Sequence, residues 1–437
     1  MIAQAAGWAE APPIAFPSTI AVLVIGFNRQ QGALTCDGVP LAEMARATGT
    51  PVYVYSGGMI AERYGRFDRA IGDYPHRIHY ALKANGTLAI ARLMRRLGAG
   101  VDANSGGEIE VARRAGFSPA DIVFTGVGKT SGELDTAVSL GLKAINAESP
   151  GEIARINAIA EARNTQARVA IRINPDVEAG THPHISTGSH ATKFGVTVAE
   201  ALDMARAIAA QPAVRLVGLH VHIGSQVTSA APIARAAAIV CDLARTLARD
   251  GVSLEHIDVG GGLGIPVGTT VAPISVEEYA ATVVAAVRPI GVPLLLEPGR
   301  WLVGPAGQLV TTVVDVKRRA DDGWFVIVDA GMTDFIRPAL YGAWHPIEAV
   351  APRAGPCIQA DVVGPVCETS DTLGVNRHLP PIEVGDLLAI GDTGAYGAAM
   401  ASNYNRRPMA AEVLVEDGRW SVVRRRQTMT DMLQWDD

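Results

Sequence analysis

Residues 77–103 read RIHYALKANGTLAIARLMRRLGAGVDA, and the fold can be read outward from this stretch. An aliphatic run at 77–83 ends on Lys83. An alanine-rich stretch at helical spacing follows, and a second aliphatic run, 100–103, then ends in polar residues. The same unit recurs downstream. Strand-like runs stand at 77–83, 100–103, 122–126, 143–147, 169–174, 216–223, 256–259 and 293–296, separated by helical stretches such as GEIEVARRAG and AAIVCDLARTLARDG. Eight strand–helix units in succession predict an α/β fold, a (β/α)8 barrel in place of an open doubly wound sheet.

Polar residues gather where such a barrel puts its chemistry. Lys83, Asp102, Ser105, Thr125, Glu148, Asn174, His222, Gly260, Gly261, Gly262 and Glu297 each fall at or just after the C-terminal end of a run. Strand ends attract polar residues in any protein, which accounts for one or two of these positions and poorly for so many.

Beyond Gly299 the character changes. QLVTTVVDVK, WFVIVDA, DLLAIGD and AEVLVEDGRWSVVRR are short, β-rich and separated by turns, so an antiparallel β domain is expected. The opening segment IAVLVIGFNRQQGALTCDGVP is β-like as well and is expected to return and complete that C-terminal sheet. At 437 residues the chain exceeds what one core usually supports. The expected organisation is an N-terminal segment at 1–49, a barrel at 50–305 and a β domain at 306–437.

Composition narrows the function. A hydrophobic fraction of 48% with 19% charged residues describes a globular protein. The net charge of −6 comes from interspersed signs, and the run Arg424, Arg425 and Arg426 is too short for a basic block, so no nucleic-acid partner is expected. Cys36, Cys241, Cys357 and Cys367 lie far apart without a CxxC pair. That predicts neither a metal site nor a disulfide framework, and it fits a reducing cytoplasm. The apolar stretch at 14–26 is broken by Pro17, lacks a basic region and is too short to span a bilayer, so no membrane partner is expected.

The strand-end set has the parts that a pyridoxal 5'-phosphate site needs. Lys83 would supply the Schiff-base amine, with burial lowering its pKa toward the neutral form. Taken alone, a lysine ending a buried strand more often pairs with a carboxylate or reaches for water. Glu297 in LEPGR would face the pyridine nitrogen and make the ring an electron sink, although a glutamate before Pro-Gly can also be a turn residue. Arg300 beside it can bind a carboxylate or phosphate in bidentate fashion. Gly260, Gly261 and Gly262 would let backbone N–H groups approach a phosphate, with Ser225 and Tyr396 adding hydroxyls; a flexible turn is the plainer alternative. His222 would lie flat on the pyridine face, where a core histidine is the plainer reading. Cys367 in GPVCETSD is either an inert small hydrophobe or a loop thiol able to act as a general acid.

Together, the strings YALKAN, SGGE, FTGVGKT, KAINAES, NPDVEAGTHPHISTG, KFGV, GLHVHIGSQ, DVGGGLGI, EPGR, RPALYGAWH, GPVCETSD, GAYG and SNYNRRP resemble the fold-type III pyridoxal-phosphate decarboxylases, specifically the diaminopimelate decarboxylase family. The resemblance runs from about residue 50 to the C-terminus. It implies Lys83 as the Schiff-base lysine, His222 stacked on the ring and Glu297 at its nitrogen. Asp102, Gly262, Gly299, Arg300 and Tyr396 are implied as further cofactor contacts. Arg300, Arg337, Tyr341, Glu368 and Tyr396 match substrate-binding positions, and Cys367 matches the proton donor. Cys367 and Glu368 would enter from a second subunit, which implies a homodimer with shared sites.

The implied reaction is decarboxylation of meso-2,6-diaminopimelate to L-lysine, the last step of lysine biosynthesis. Two alternatives stay open: a decarboxylase of another basic amino acid (ornithine or arginine), or a catalytically silent pyridoxal-phosphate-binding homologue. An alanine racemase is disfavoured because Glu297 promotes the electron sink that racemases suppress. His184, Thr369, Ser370 and Thr393 depart from the family pattern, at the substrate loop and the cofactor rim.

Overall fold

The structure is a computed structural model that describes residues 24–177, 188, 192–268, 273–320 and 323–436. Eight parallel strands close into a barrel: His76–Ala81, Gly100–Ala103, Ile122–Phe124, Ala144–Ala147, Ala167–Ile173, Val214–Val221, His256–Asp258 and Leu294–Leu296. Each coincides with one of the eight runs read from the sequence. Successive side chains alternate between the helical ring and the interior. Ile122 and Phe124 pack outward in the main core, while Val123 joins Ala144, Ala170, Val217 and Leu295 in an inner cluster. By the same alternation His79, Asp102, Asn146, Arg172, His220 and Asp258 point inward, which gives this barrel a partly polar interior.

Local sequence fixes where the strands give way to helices. Ser105, Thr130, Ser149, Thr197 and Ser275 each stand three residues before a glutamate, and each hydroxyl accepts that glutamate's backbone N–H. An N-cap of this kind stabilises a helix by about 1 kcal/mol. These caps limit the length of the loops that surround the barrel mouth. Helix Gly57–Ile71 completes the helical ring by packing on helix Val276–Val287, with Phe67 against Tyr279 at 5.8 Å and Trp301 at 5.6 Å.

The second domain is a nine-stranded sheet built around the long strand Gly307–Arg318. It is mixed and not purely antiparallel as expected: Trp324–Val328 pairs parallel with Ile358–Val363, and Val52–Ser56 pairs parallel with Ala411–Glu416. The N-terminal expectation also needs correction. Phe27–Gln30, Ala33–Cys36 and Val39–Pro40 form their own three-stranded sheet. That sheet packs Leu34, Cys36 and Val39 onto the domain without pairing into it, and residues 20–23 lie outside the described chain. The strand that does enter the large sheet is Val52–Ser56, which was expected in the barrel. Val52 and Val54 face one core cluster while Tyr53 and Tyr55 face the other, so a strand buried on both faces imitates a barrel strand in sequence.

Candidate active site

A cavity opens at the C-terminal mouth of the barrel, lined by Lys83, Asn104, Thr125, Arg172, His220, His222, Ser225, Glu297, Arg300, Arg337, Tyr341 and Tyr396. Arg337 and Tyr341 come from the one-turn helix Arg337–Tyr341 of the β domain. Tyr396 comes from a strap that follows strand Leu387–Ile390. This strap is tied to the lysine-bearing turn: the Tyr396 N–H donates to the Ala84 carbonyl at 2.7 Å, and Asn85 Nδ2 donates to the Gly394 carbonyl at 3.1 Å. Tyr396 has a φ of +56°, a left-handed conformation that a bulky residue keeps only when its surroundings impose it.

Lys83 Nζ donates to Asp102 Oδ2 at 2.8 Å and reaches Asn104 Oδ1 at 3.4 Å. Burial acts to lower the lysine pKa, but the Asp102 and Glu297 carboxylates outweigh it, and the amine is held above its ordinary value. This reverses the expectation of a neutral lysine. Burial likewise acts to raise the Asp102 carboxyl, yet the Lys83 ammonium and the hydrogen bonds it receives keep it below the usual carboxylate range. The pair is therefore an ion pair in the absence of a coenzyme.

Glu297 ends the eighth strand. Its Oε2 faces His220 Nε2 at 3.3 Å, and its buried Oε1 has no hydrogen-bond partner among the described residues. Burial first, and then the Asp102 charge, raises its carboxyl pKa to about 8. An orphaned carboxylate oxygen facing a cavity fits a protonated ring nitrogen. His222 Nδ1 accepts the Gly261 N–H at 3.2 Å, which puts the ring proton on Nε2, and desolvation keeps the imidazole neutral.

The glycine cluster behaves differently from the expectation. The Gly260 N–H is taken by Asp258 Oδ1 at 2.8 Å and the Gly261 N–H by His222, so neither amide is offered to a ligand. The glycines are needed for close packing. A Cβ on Gly261 would lie 2.1 Å from the Glu297 carbonyl oxygen, and one on Gly262 (φ +96°) would lie 2.3 Å from the Gly224 carbonyl oxygen. Gly299 allows a similar approach, with a Cβ falling 2.9 Å from that of Ala84.

Two arginines also line the cavity. Arg300 is buried and donates through Nε and Nη2 to Ser225 Oγ at 3.2 Å each. Arg337 is equally buried, and its Nε has no partner among the described residues. Tyr396 lies between them, 4.8 Å from the Arg300 guanidinium and 5.7 Å from that of Arg337. Burial and the neighbouring Arg300 charge lower the Arg337 pKa to about 10. No carboxylate among the described residues pairs with either. Two buried cations without a counter-ion make an anion-binding wall.

Cys367 and Glu368 are not brought to this cavity within the chain. Both are exposed, on the loop between strands Ile358–Val363 and Thr372–Leu379, where Glu368 Oε1 accepts the Tyr404 hydroxyl at 2.7 Å. Thr369 and Ser370 share this exposed loop, Thr393 is fully buried beneath the strap, and His184 lies outside the described residues. Sequence reasoning missed His220, Asp258 and Arg172. The usable signal was the two-residue spacing of HVH, which puts His220 on the same face as His222. Arg172 is held by Glu148 at 2.8 Å, and Glu148 also accepts the Gly195 N–H at 3.0 Å.

A barrel with a mouth lysine, an orphaned carboxylate oxygen and an anion-binding wall defines a coenzyme-dependent enzyme of amino acids. Residues 58–304 match the family model for the pyridoxal-dependent decarboxylase, pyridoxal binding domain. The chain is 44% identical to diaminopimelate decarboxylase of Neisseria meningitidis serogroup A, over 92% of this chain and 98% of that protein. It is 43% identical to the Vibrio cholerae diaminopimelate decarboxylase, over 93% and 97%. The crystal structure of diaminopimelate decarboxylase from Helicobacter pylori complexed with L-lysine superposes with a TM-score of 0.87 at 40% identity, covering 90% of this chain and 98% of that one. The chain is a pyridoxal-phosphate-dependent decarboxylase, and within that class it belongs to the diaminopimelate decarboxylase family.

Proposed function

We propose that the enzyme converts meso-2,6-diaminopimelate into L-lysine and carbon dioxide. The observation that carries this reading is the pair of buried, uncompensated guanidiniums of Arg300 and Arg337, which line the same cavity as Lys83. Diaminopimelate has a carboxylate at its far end, which such a wall accommodates; ornithine and arginine have none and would leave a buried cation unpaired.

The residues divide the work as follows. When bound, the coenzyme supplies the electron sink that lets the Cα–carboxylate bond break. Asp102 and Asn104 position Lys83 Nζ, which must shed one proton to bear the coenzyme. Glu297 Oε1 is the group available to the ring nitrogen, and the neutral His222 is the ring available to its face. Ser225, Gly262 and Arg300 are the candidates for the phosphate, with Arg300, Arg337, Tyr341 and Tyr396 shaping the substrate end.

Cys367 Sγ returns a proton to Cα, and Glu368 takes the distal ammonium. Because both are exposed and outside their own chain's cavity, we read them as serving the cavity of a second copy in a homodimer. A cytoplasmic location is part of the same reading, supported by four cysteines that are all unpaired. No helix among the described residues is long and apolar enough to cross a membrane.

The test is carbon dioxide release from diaminopimelate, ornithine, arginine and lysine assayed side by side. Diaminopimelate should lead by about 10²-fold or more in kcat/KM. A preference for ornithine would overturn the substrate assignment.

A further inference from the structure

His220, Asp258 and Glu297 form a buried cluster at the cavity, which His220 and Glu297 line, each offering an atom within 4.8 Å of the other two. They end three consecutive barrel strands, and His220 and Asp258 are direct register partners on the inward face. Each carboxyl has one engaged oxygen. Asp258 Oδ1 accepts the Gly260 N–H at 2.8 Å, and Glu297 Oε2 faces His220 Nε2 at 3.3 Å. The other two oxygens, Asp258 Oδ2 and Glu297 Oε1, have no partner among the described residues. Of the cavity cations, Lys83 is taken by Asp102 and Arg172 by Glu148, and Arg300 donates to Ser225.

Two adjacent carboxylates cannot both stay ionised in so dry a place, so the pair must hold at least one proton. Glu297 borders the cavity, where a cationic ring nitrogen can stabilise its charge; Asp258 does not border it and is wholly enclosed. An N–H pointing at Asp258 Oδ1 marks that oxygen as an acceptor, which leaves Oδ2 to carry the proton. Oδ2 then lacks a donor because it is one itself.

We propose that Asp258 and His220 are positioning residues for the coenzyme: protonated Asp258 and the His220 Nε2–H hold Glu297 as the single carboxylate presented to the ring nitrogen. This rests on the reading of Glu297 as the partner of that nitrogen. Burial and the Glu297 charge push the Asp258 carboxyl well above its ordinary range, in agreement. Burial also keeps His220 neutral, at about 4. The cluster therefore carries one negative charge against one positive charge on the ring, where an ionised Asp258 would make it two.

The experiment compares the parent, Asp258→Asn and Asp258→Ala. Asparagine can still accept the Gly260 N–H and donate to Glu297, whereas alanine can do neither. Pyridoxal phosphate should dissociate from Asp258→Ala about tenfold more readily and from Asp258→Asn at most about threefold, with kcat falling in the same order and KM little changed. In the coenzyme-free parent, infrared difference spectra against Asp258→Asn should show the carbonyl stretch of a buried protonated carboxyl. Absence of that band, an asparagine variant as impaired as the alanine one, or a stoichiometric metal in the parent would overturn the proposal. A parent that binds no pyridoxal phosphate would instead overturn the coenzyme reading on which it rests.

Discussion

At the barrel mouth the reactive groups hold one another inside a single chain, whereas the loop that carries Cys367 and Glu368 is held at its base and by the Tyr404 hydroxyl and leaves both side chains exposed. Lys83 is held by Asp102 at 2.8 Å and by Asn104 at 3.4 Å, Glu297 faces His220 at 3.3 Å, and most of these side chains are out of solvent. The loop is anchored by buried Asp371, which accepts the Met332 and Val366 N–H groups at 2.6 Å each, and its two reactive side chains then project into solvent. A firm base under exposed chemistry is what a group needs when it serves a cavity elsewhere. The mouth gathers the groups proposed to hold the coenzyme, and the loop is proposed to serve a second copy's cavity.

The sharpest way to break this contrast is to disable each half separately. Lys83→Ala should lower turnover by about 10⁴-fold or more and abolish the visible absorbance of the lysine-bound coenzyme. Cys367→Ala should keep that absorbance while losing about 10²- to 10⁴-fold in kcat. If the halves come from different copies, mixing the two dead variants restores activity. Random pairing makes half of the dimers mixed, each with one intact site, so about a quarter of the parent activity should return. A mixture as inactive as its components would sink the shared-site reading.

A smaller effect tests the anion wall. Arg337→Met should cost about 10²-fold in kcat/KM for diaminopimelate and little for ornithine, measured by the same carbon dioxide release. Equal losses on both substrates would make Arg337 structural.

The same contrast governs what could be read from sequence. The barrel was legible because strands buried on both faces leave continuous apolar runs, and each run stopped at a polar residue that the fold brings to one rim. Lys83, Glu297 and Arg300 stand at or just after such run ends, whereas Tyr396 reaches the cavity from a strap of the β domain that no barrel run marks. Val52–Ser56 was misassigned by the same rule, since a central strand of the β domain is also buried on both faces. The lysine's protonation was misjudged because its pKa depends on Asp102, a partner 19 residues away that burial alone does not anticipate. Gly260 and Gly261 suggested an anion cradle, but glycine marks close backbone approach of any kind. Asp258 left no pattern of its own, since its partner Glu297 is brought beside it only by the pairing of the seventh and eighth strands.

Protonation offers a test of intermediate size. Above pH 6.5 the buried histidines no longer matter, because the unfolded chain also leaves them neutral. Glu297 is raised to about 8 and Glu108 to about 7, both by burial first, against unfolded values near 4.5. The folded protein thus binds more protons than the unfolded chain in this window, and stability falls as pH rises through it. Coenzyme-free enzyme should lose about 2–3 kcal/mol between pH 6.5 and 8 in denaturant titrations. Bound coenzyme should flatten that slope by placing a cation against Glu297, and an unchanged slope would show that Glu297 does not meet the ring nitrogen.

The smallest expected effect concerns Thr393, which departs from the family pattern at the strap. Its side chain is fully buried, its Oγ1 has no partner among the described residues, and it does not line the cavity. Its N–H donates to the Gly307 carbonyl at 3.0 Å, and it adjoins Gly394, where a Cβ would come within 1.9 Å of the Val303 carbonyl oxygen. A hydroxyl forced into that packing without a partner costs about 1–3 kcal/mol, while the methyl beside it contributes up to about 1 kcal/mol by filling space. Thr393→Ala removes both, so the balance favours the variant by about 1 kcal/mol in denaturant unfolding, with KM for diaminopimelate unchanged. A destabilised variant would mean that the hydroxyl has found a bound water, and an altered KM would place this departure at the substrate rim and not in the foundation of the strap.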